Sequence, residues 1–497
     1  MNRLNTAALA ALPADVARPT YDRGALQPGI VHLGIGAFMR AHLAVATEAA
    51  IHADGDLRWG IIGVSLRKGD TRDALAPQDG LYCVALRDAD EAGRARQRLQ
   101  VVGCITQLLV APEDPGAVLD AIAAPATRIV SFTVTEKGYD HDPATRALNF
   151  EHPDIVHDLA HPEAPCSAIG FIVHGLARRR AAGLGPLTLL SLDNLPSNGH
   201  TLQGLVQAFA GRHDPALARW IAQGCTFPNS MVDRIVPRTT DSDRGAVEAQ
   251  LGSRDAWPVM AEPFFDWAVE DRFAAGRPAW GTGGVRFVPE AAPWELLKLR
   301  MVNGSHSAIA YLGAMAGSRT VDRALSEPAL RHFLEAMMRD EVEPTLPGLP
   351  GLDLVAYRAG LMTRFANPAL AHRTQQIAMD SSQKLPQRLL GTVRDRLAAG
   401  QPIAHLALAI AAWLHYLRGH DEREQPYAID DPLAEELTAL ARRAEMARTP
   451  RERADRFTRF ADVFGDLAGN PALVDSLTPA LESLRTRGVV ATLKATA

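Results

Sequence analysis

The chain has 497 residues, of which 47% are hydrophobic and 22% are charged, with a formal net charge of −5. This length predicts two or three domains with ample cores, and the composition is typical of a globular protein. Acidic and basic residues are interspersed without a basic stripe, which argues against a nucleic-acid binder. The longest apolar stretch, IAHLALAIAAWLHYL, is too short to span a membrane and predicts a buried helix.

The four cysteines, Cys83, Cys104, Cys166 and Cys225, are far apart in the sequence and form no CxxC pair. Their spacing fits neither a disulfide framework nor a zinc knuckle. We therefore expect reduced thiols and a cytoplasmic protein. The sequence shows no interface pattern, which is compatible with a monomer.

The N-terminal part alternates strand and helix signals. IVHLGIG predicts a strand ending in glycines, FMRAHLAVATEAAIHA a helix, and WGIIGVSL a second strand, the expected opening of a nucleotide-binding parallel sheet. Further strands are predicted at LYCVAL, RLQVVGCI, TRIVSFTVT and LTLLSL, and a glycine-terminated helix at AIGFIVHGLARRRAAG. This order predicts an α/β fold, with a doubly wound, Rossmann-like domain over residues 1–285.

From about Pro293 onward the strand signals give way to long helical periods. Examples are LRHFLEAMMRDEV, LPQRLLGTVRDRLAAG and PLAEELTALARRAEMAR. The loop GRPAWGTGGVRF precedes this change. We therefore predict that a second, mostly α-helical domain begins near the end of this loop and covers residues 286–497.

The segment GIGAFMR lies between the first strand and the first helix. Gly34 and Gly36 occupy the first two glycine positions of a dinucleotide-binding fingerprint, whereas Met39 occupies the third. In this position backbone N–H groups can hold a pyrophosphate, so we favour nucleotide binding over a merely tight turn. The predicted cofactor site also includes Phe38 and Arg40.

The segment VSLRKGD closes the second predicted strand. Asp70 is placed to bind the adenosine ribose hydroxyls, which favours NAD as the cofactor. Arg67 and Lys68 are close enough to accept a 2′-phosphate, so the sequence leaves NADP open.

The apolar stretch LLKLRMVNGSHSA carries Lys298, Asn303 and His306. On an α-helix these positions fall near about 0°, 140° and 80°, within one sector. One interpretation is a buried lysine acting as general acid/base, its pKa lowered from about 10.4 toward about 7–8. The other is an ordinary lysine on an exposed helix edge, beside a structural histidine.

Two further segments carry polar groups after predicted strands. In SLDNLPSNG, Asn194 is a candidate donor to a developing oxyanion, or simply part of an Asx turn. In FPNSMVDRIVP, Asp233 and Arg234 are candidates for a buried ion pair or for a catalytic role. The chain has no HExxH motif or Cys/His cluster, so we predict no metal site. It also has no Tyr-x-x-x-Lys pair, which excludes the tyrosine and lysine chemistry of short-chain dehydrogenases.

The segments GIGAFMRAH, TVTEKGY, DNLPSNGH, FPNSMVDRI, EPFFDW and KLRMVNGSH occur in this order over nearly the whole chain. Together they resemble the long-chain polyol and hexuronate dehydrogenases, the mannitol 2-dehydrogenase family. The resemblance implies an NAD(P)-dependent, metal-independent oxidoreductase acting on a small sugar acid or polyol. It also implies a Rossmann-like N-terminal domain and a largely helical C-terminal domain.

The resemblance also implies residue roles, carried over motif by motif. Lys298 matches the catalytic lysine, and Asn194 and Asn303 match asparagines that polarise the carbonyl oxygen. His306 matches a substrate-orienting histidine. The acidic residues implied near the substrate and in proton passage are Asp233 and Glu136.

The substrate within the family is indicated by the segment HRTQQIAMDSSQKLPQRLL, which most resembles the fructuronate reductase (D-mannonate oxidoreductase) branch. Mannitol 2-dehydrogenases tend to have GGY where this chain has KGY from Lys137, and an arginine where Gln376 stands, eight residues before Lys384. The resemblance therefore implies D-fructuronate and D-mannonate, whose carboxylate Lys137, Lys384 or Arg388 would receive. The alternative for Lys384, the lysine of KLPQR, is a structural role. The alternative functions are a mannitol 2-dehydrogenase or related polyol enzyme, and a catalytically silent binding protein for a sugar acid or nucleotide.

Overall fold

The computed structural model describes residues 2–89, 94–142, 145–370 and 372–496. The chain divides into two compact units. The first contains Met1–Asp88 and Arg96–Ala292, and the second contains Ala89–Ala95 and Pro293–Ala497. The division thus lies at Ala292, whereas the sequence predicts a boundary between residues 285 and 286.

The first unit is built around a parallel sheet. The strands of the unit are β1 (Pro28–Leu33), β2 (Gly60–Ser65), β3 (Tyr82–Ala89), β4 (Ala95–Val102), β5 (Ile105–Val110), β6 (Ile129–Phe132), β7 (Thr188–Ser191), β8 (Ser230–Asp233), β9 (Val259–Ala261), β10 (Asp266–Glu270) and β11 (Val285–Val288). The parallel sheet has the order β5-β2-β1-β6-β7. Smaller sheets have the orders β11-β10-β8 and β4-β3-β9.

The parallel sheet is buried on both faces, because alternate side chains of each strand enter different cores. Val31 and Leu33 of β1 pack into one hydrophobic cluster, together with Val130 of β6. Ile30 of β1 and Ile129 of β6 pack into another. This explains why the strands appear in the sequence as nearly continuous apolar runs.

Helices connect the strands of the first unit. They are α1 (Ala37–Ala41), α2 (Leu43–Asp54), α3 (Asp70–Leu75), α4 (Pro115–Ala123), α5 (Pro153–Ala160), α6 (Ala168–Ala181), α7 (Asn198–His213), α8 (Pro215–Gly224) and α9 (Asp241–Leu251). Local signals explain α6: the Ser167 hydroxyl accepts a hydrogen bond from the Gly170 N–H at its start. Gly183 adopts a left-handed φ of +68° just after its end.

Two predicted elements differ from the structure. RLQVVGCI is not one strand, because the backbone of Gly103 is bound by side chains: its N–H donates to Glu48 Oε2 (2.8 Å) and its carbonyl accepts from Arg23 Nε (2.9 Å). Only the part after this break joins the parallel sheet, whereas LYCVAL forms β3 of the β4-β3-β9 sheet. The first predicted helix also breaks, at His42 (φ −123°, ψ −87°), into α1 and α2.

The second unit is helical. Its α-helices are α10 (Ala292–Leu297), α11 (Gly304–Met315), α12 (Val321–Ala324), α13 (Pro328–Ala336), α14 (Leu354–Phe365), α15 (Thr374–Ala378), α16 (Ser381–Leu385), α17 (Gly391–Ala398), α18 (Ala404–Tyr416), α19 (Ala434–Glu445), α20 (Pro450–Thr458), α21 (Ala461–Phe464), α22 (Pro471–Arg487) and α23 (Val489–Ala495). Among the described residues of this unit, three further segments are π-helical, namely Lys298–Asn303, Met337–Val342 and Pro386–Leu390.

The apolar stretch IAHLALAIAAWLHYL forms the buried helix α18, as the sequence predicts. Across the described residues, the helices all fall short of the length and apolar character that crossing a bilayer requires.

Candidate active site

The glycine turn of the first unit follows β1. Gly34 has a left-handed φ of +94°, and a Cβ added there would lie 2.1 Å from the carbonyl oxygen of Thr133. Gly36 has an ordinary extended backbone, and the nearest atom to an added Cβ is the Gly34 oxygen at 3.9 Å. The first glycine therefore permits the turn itself, whereas the second leaves open space beside the backbone, as nucleotide-binding turns require.

The other predicted cofactor residues lie in different environments. Phe38 is partly buried and stacks on His42, with ring centroids 5.2 Å apart. Arg40 is only 1% exposed, and its Nη1 donates to the carbonyl of Trp257 at 2.7 Å, which favours a structural role. Asp70 is exposed at the start of α3, just beyond the carboxyl end of β2.

The carboxyl ends of β6 and β7 are tied together by Asp193. Its carboxylate accepts hydrogen bonds from the N–H groups of Val134 and Thr135, both at 3.0 Å. Thr135 has φ +64° and ψ 164°, a region that β-branched residues rarely adopt. The strained turn presents Glu136 with an exposed side chain, and Asn194 is exposed immediately after Asp193. Lys137 is exposed in the same turn, which begins a 3₁₀-helix.

The segment that contains Asn194 is anchored by a buried amide. The Asn198 Nδ2 donates to the carbonyls of Asp193 (3.0 Å) and Ser230 (2.8 Å), and its Oδ1 accepts from the Ser230 N–H (2.9 Å). The segment DNLPSN, which follows β7, is therefore attached to β8 by hydrogen bonds, and β8 ends in the buried Asp233.

Arg234, the neighbour of Asp233, has a structural environment. Its Nε donates to the carbonyl of Glu262 at 3.0 Å, and its guanidinium lies over the ring of Phe265. Burial lowers the pKa of Arg234 to about 10, while Glu262 opposes this shift. These contacts account for the arginine of FPNSMVDRI through the packing of the first unit.

In the second unit Lys298 and Asn303 are the first and last residues of a π-helical segment. The N–H of Gly304 bonds to the carbonyl of Leu299, five residues earlier, whereas an α-helix uses a spacing of four. The α-helical projection for this stretch is therefore wrong. The wider π turn reduces the rotation between residues five apart, so Lys298 and Asn303 lie closer to one face than an α-helix would place them.

Lys298 is 7% exposed and His306 is 8% exposed, so the alternative of an ordinary lysine on an exposed helix edge does not hold. The ring of His306 packs against Phe365, with centroids 4.5 Å apart, and meets His372 edge-on at 5.5 Å. Neither Phe365 nor His372 has a signal in the sequence, because both are distant in the chain. Burial and a nearby cationic group lower the pKa of His372, which favours a neutral ring against His306.

Two of the π-helical segments, Lys298–Asn303 and Pro386–Leu390, approach each other next to Gly304. A Cβ added to Gly304 would lie 2.9 Å from the carbonyl oxygen of Arg388, closer than side chains tolerate. Arg388 Nη1 also donates to the Ser307 hydroxyl at 3.3 Å, next to His306. The structure thus brings Arg388 to the helix that begins with Gly304, through contacts that the sequence did not reveal.

Lys384 is half-buried one turn before Arg388. Its ammonium donates to the carbonyl of Met379 at 2.6 Å and lies 3.6 Å from Asp380 Oδ2. Burial lowers the pKa of Lys384, and the positive charge of Arg388 lowers it further. The lysine and the arginine therefore share one electrostatic environment, in which Lys384 already has protein partners.

Among the residues that the structure describes, side chains able to ligate a metal lie close together in two groups around α5. The first group is His157, Asp158 and Cys166, and the second is Asp140, His152 and Asp154. Neither group includes a predicted catalytic residue. The Asp158 carboxylate accepts from the N–H of Cys166 (2.7 Å) and the Ser167 hydroxyl (2.6 Å), which accounts for it as a helix-capping group.

Comparisons with known proteins cover both units. The family profiles described as "Mannitol dehydrogenase Rossmann domain" and "Mannitol dehydrogenase C-terminal domain" match residues 28–282 and 290–485. The D-mannonate oxidoreductase of Escherichia coli (strain K12) is 43% identical over 479 residues, 95% of this chain and 96% of its own. The mannitol 2-dehydrogenase of Phaeosphaeria nodorum is 40% identical over 497 residues, 99% of this chain and 85% of its own. The structure of Pseudomonas fluorescens mannitol 2-dehydrogenase in ternary complex with NAD and D-mannitol matches with a TM-score of 0.84 at 38% identity, covering 99% of both chains.

Proposed function

The chain belongs to the mannitol dehydrogenase family, and we propose that it is an NAD-dependent oxidoreductase that interconverts D-fructuronate and D-mannonate. The observation that carries this proposal is Arg388, whose guanidinium contacts Ser307 beside the buried His306. A guanidinium binds a carboxylate through two charge-assisted hydrogen bonds, whereas the hydroxyls of a neutral polyol accept only uncharged hydrogen bonds from it. The 43% identity to a D-mannonate oxidoreductase supports the same substrate class.

The glycine turn fits a dinucleotide, because the space beside Gly36 is what a pyrophosphate needs to approach the backbone. We assign Gly34, Gly36 and Phe38 to the cofactor site, and Asp70 to the ribose hydroxyls, which favours NAD. When bound, a nicotinamide coenzyme supplies the hydride of carbonyl reduction. The NAD in the Pseudomonas fluorescens complex supports this cofactor.

Lys298 is assigned the proton transfer. During reduction its ammonium donates a proton to the carbonyl oxygen, and during oxidation its neutral amine accepts one from the hydroxyl. Lys298 is buried, which limits proton exchange with bulk water and so suits a direct transfer to the substrate. Because the lysine supplies the acid, the proposed reaction requires no metal.

The amides of Asn194 and Asn303 are assigned the stabilisation of the carbonyl oxygen as it becomes negative. One such donor typically contributes about 10²–10³ in rate. His306 is assigned the orientation of the substrate. The acidic groups assigned to the substrate region and to proton passage are Asp233 and Glu136.

Lys137, Lys384 and Arg388 are the cationic candidates for receiving the carboxylate. We assign this contact to Arg388, because the ammonium of Lys384 is already engaged by Met379 and Asp380. Lys137, on the exposed turn of the first unit, is the remaining candidate.

The substrate assignment is tested by measuring kcat/KM for D-fructuronate and D-fructose, with NADH and NADPH, with and without EDTA. We expect D-fructuronate with NADH to be preferred, and EDTA to have no effect. Arg388→Gln should lower kcat/KM for D-fructuronate by about 10- to 100-fold, the worth of a charged hydrogen bond, and change that for D-fructose little. Arg394→Gln, which removes an exposed arginine paired with Asp466, is the matched control. A preference for D-fructose would overturn the assignment.

The catalytic assignment is tested with Lys298→Ala. Turnover should fall by several orders of magnitude, whereas the Kd for NADH, measured by fluorescence, should change little. Near-normal turnover in this variant would mean that another group transfers the proton.

A mannitol 2-dehydrogenase acting on D-mannitol and D-fructose is the second candidate, favoured by the 40% identity to an enzyme of that name. In either case we propose that the chain acts on a small molecule, as a monomer and without nucleic-acid or membrane partners. The four free cysteines support the reducing cytoplasm as its location.

A further inference from the structure

A cavity of about 520 Å³ lies in the second unit, past the end of α11. It is lined by the turn around Ser318, by residues 373–375 and by the loop that contains Asp421 and Tyr427. A neighbouring cavity of about 490 Å³ shares part of this lining. Four arginines contribute to the lining of the two cavities, and we call the surface that they form the arginine cleft: Arg319, Arg323, Arg373 and Arg423.

The arginine cleft carries an excess of positive charge, with four arginines and one acidic residue in its lining. Counting partners within residues 2–89, 94–142, 145–370 and 372–496, the guanidinium groups of these four arginines form no hydrogen bond or ion pair. Other arginines of the same unit are ion-paired, as Arg339 is with Asp340 and Arg394 is with Asp466. Like charges that share a concave surface repel one another and concentrate a positive field there, which an anion relieves.

Backbone contacts hold the cleft in shape. The N–H of Thr374 donates to the carbonyl of Arg319 at 3.1 Å, and its hydroxyl donates to the carbonyl of Ser318 at 2.9 Å. Asp421, the acidic residue of the lining, accepts the N–H groups of Arg423 and Gln425 with one carboxylate oxygen, both at 2.8 Å. Its charge therefore organises the loop, and the lining retains a net positive charge.

We propose that the arginine cleft binds the phosphate group of a small phosphorylated sugar. A carboxylate is satisfied by one bidentate arginine, whereas a phosphate dianion offers three terminal oxygens to several guanidinium groups. The cavity has room for more than the phosphate, and Ser318 and Gln375 supply polar groups for hydroxyls. Lys298, Asn303 and His306 are not among the residues that line the two cavities.

The proposal is tested by isothermal titration calorimetry. The full-length protein is titrated at low ionic strength with glucose 6-phosphate, inorganic phosphate and glucose. We expect glucose 6-phosphate to bind, glucose not to bind, and the affinity to fall with added salt. The double variant Arg319→Gln/Arg373→Gln should weaken binding by about 100-fold or more, since each charged hydrogen bond contributes about tenfold or more. Arg442→Gln, which removes an exposed arginine on α19, is the control and should bind as the wild type does.

Comparing the affinities for glucose 6-phosphate and inorganic phosphate shows whether the cleft recognises a phosphorylated sugar or free phosphate. Tighter binding of glucose 6-phosphate assigns contacts to the sugar as well, whereas equal affinity assigns the recognition to the phosphate alone. Absence of binding of both phosphate probes up to roughly 10 mM would overturn the proposal, because that limit is weaker than a specific site requires. Wild-type affinity in the double variant, or an equal loss in Arg442→Gln, would also overturn it.

Discussion

Gly34 and Gly36 lie two residues apart in one turn, and alanine at each should have opposite consequences. At Gly34 an alanine would adopt φ +94°, and its Cβ would lie 2.1 Å from the Thr133 oxygen. At Gly36 φ is −83° and ψ −175°, which any residue adopts, and a Cβ there meets only the Gly34 oxygen at 3.9 Å. The first substitution should therefore damage the fold, and the second should damage only nucleotide binding.

The magnitudes follow from these contacts. For Gly34→Ala, the left-handed backbone costs about 1–2 kcal/mol, and displacing a backbone carbonyl adds about 1–3 kcal/mol. The free energy of unfolding should therefore fall by about 2–5 kcal/mol. For Gly36→Ala, the reduced entropy of the unfolded chain should raise it by about 0.4–1 kcal/mol. A methyl group in the space of the pyrophosphate should weaken NADH binding by about tenfold or more, the equivalent of an overpacking cost above 1 kcal/mol.

Urea unfolding gives the stabilities, and NADH fluorescence titration gives the Kd values. Gly204→Ala is the matched control, because Gly204 lies in α7 with open space around its Cβ position and should change neither quantity for the worse. If Gly36→Ala unfolds as readily as Gly34→Ala, the geometric distinction between the two glycines is wrong. If it binds NADH with wild-type affinity, the cofactor does not occupy this turn.

Three further substitutions test other contacts. Gly304→Ala places a Cβ 2.9 Å from the carbonyl oxygen of Arg388 and should displace Arg388, so kcat should fall about tenfold. The higher helix propensity of alanine, about 1 kcal/mol, should offset the cost in stability. An unchanged kcat would contradict a role of Gly304 in positioning Arg388. Burial lowers the pKa of His32 from 6.5 to about 3, so the unfolded state binds the extra proton and His32 destabilises the fold below pH 6.5. Its contribution to the loss of stability between about pH 7.5 and 5 should be about 2 kcal/mol, and in urea unfolding His32→Gln should remove that part of the pH dependence. Asp193→Asn leaves one side-chain oxygen for the N–H groups of Val134 and Thr135, so it should lower the free energy of unfolding by about 1–3 kcal/mol and also lower kcat. A loss of stability without a loss of kcat would mean that Asp193 serves folding alone.

Local patterns in the sequence were sufficient for the elements that frame the site. The strand, glycine turn and helix around Gly34 follow from apolar runs and from the backbone freedom of glycine. The buried helix α18 follows from an uninterrupted apolar stretch. The family, confirmed by the profile matches, follows from short segments in a fixed order. These signals need only neighbours in the chain, which is why they could be interpreted without coordinates.

Other features depend on residues far apart in the chain. The π-helical turn at Lys298 has no compositional signature, and the approach of Arg388 to Gly304 requires the folded second unit. The break at Gly103 depends on side chains from two other segments. Sequence thus determined which chemical groups the protein has and on which kinds of element they stand. Tertiary structure alone decided which of the polar groups are buried and which of them meet, because their contacts arise from packing segments that are far apart in the chain.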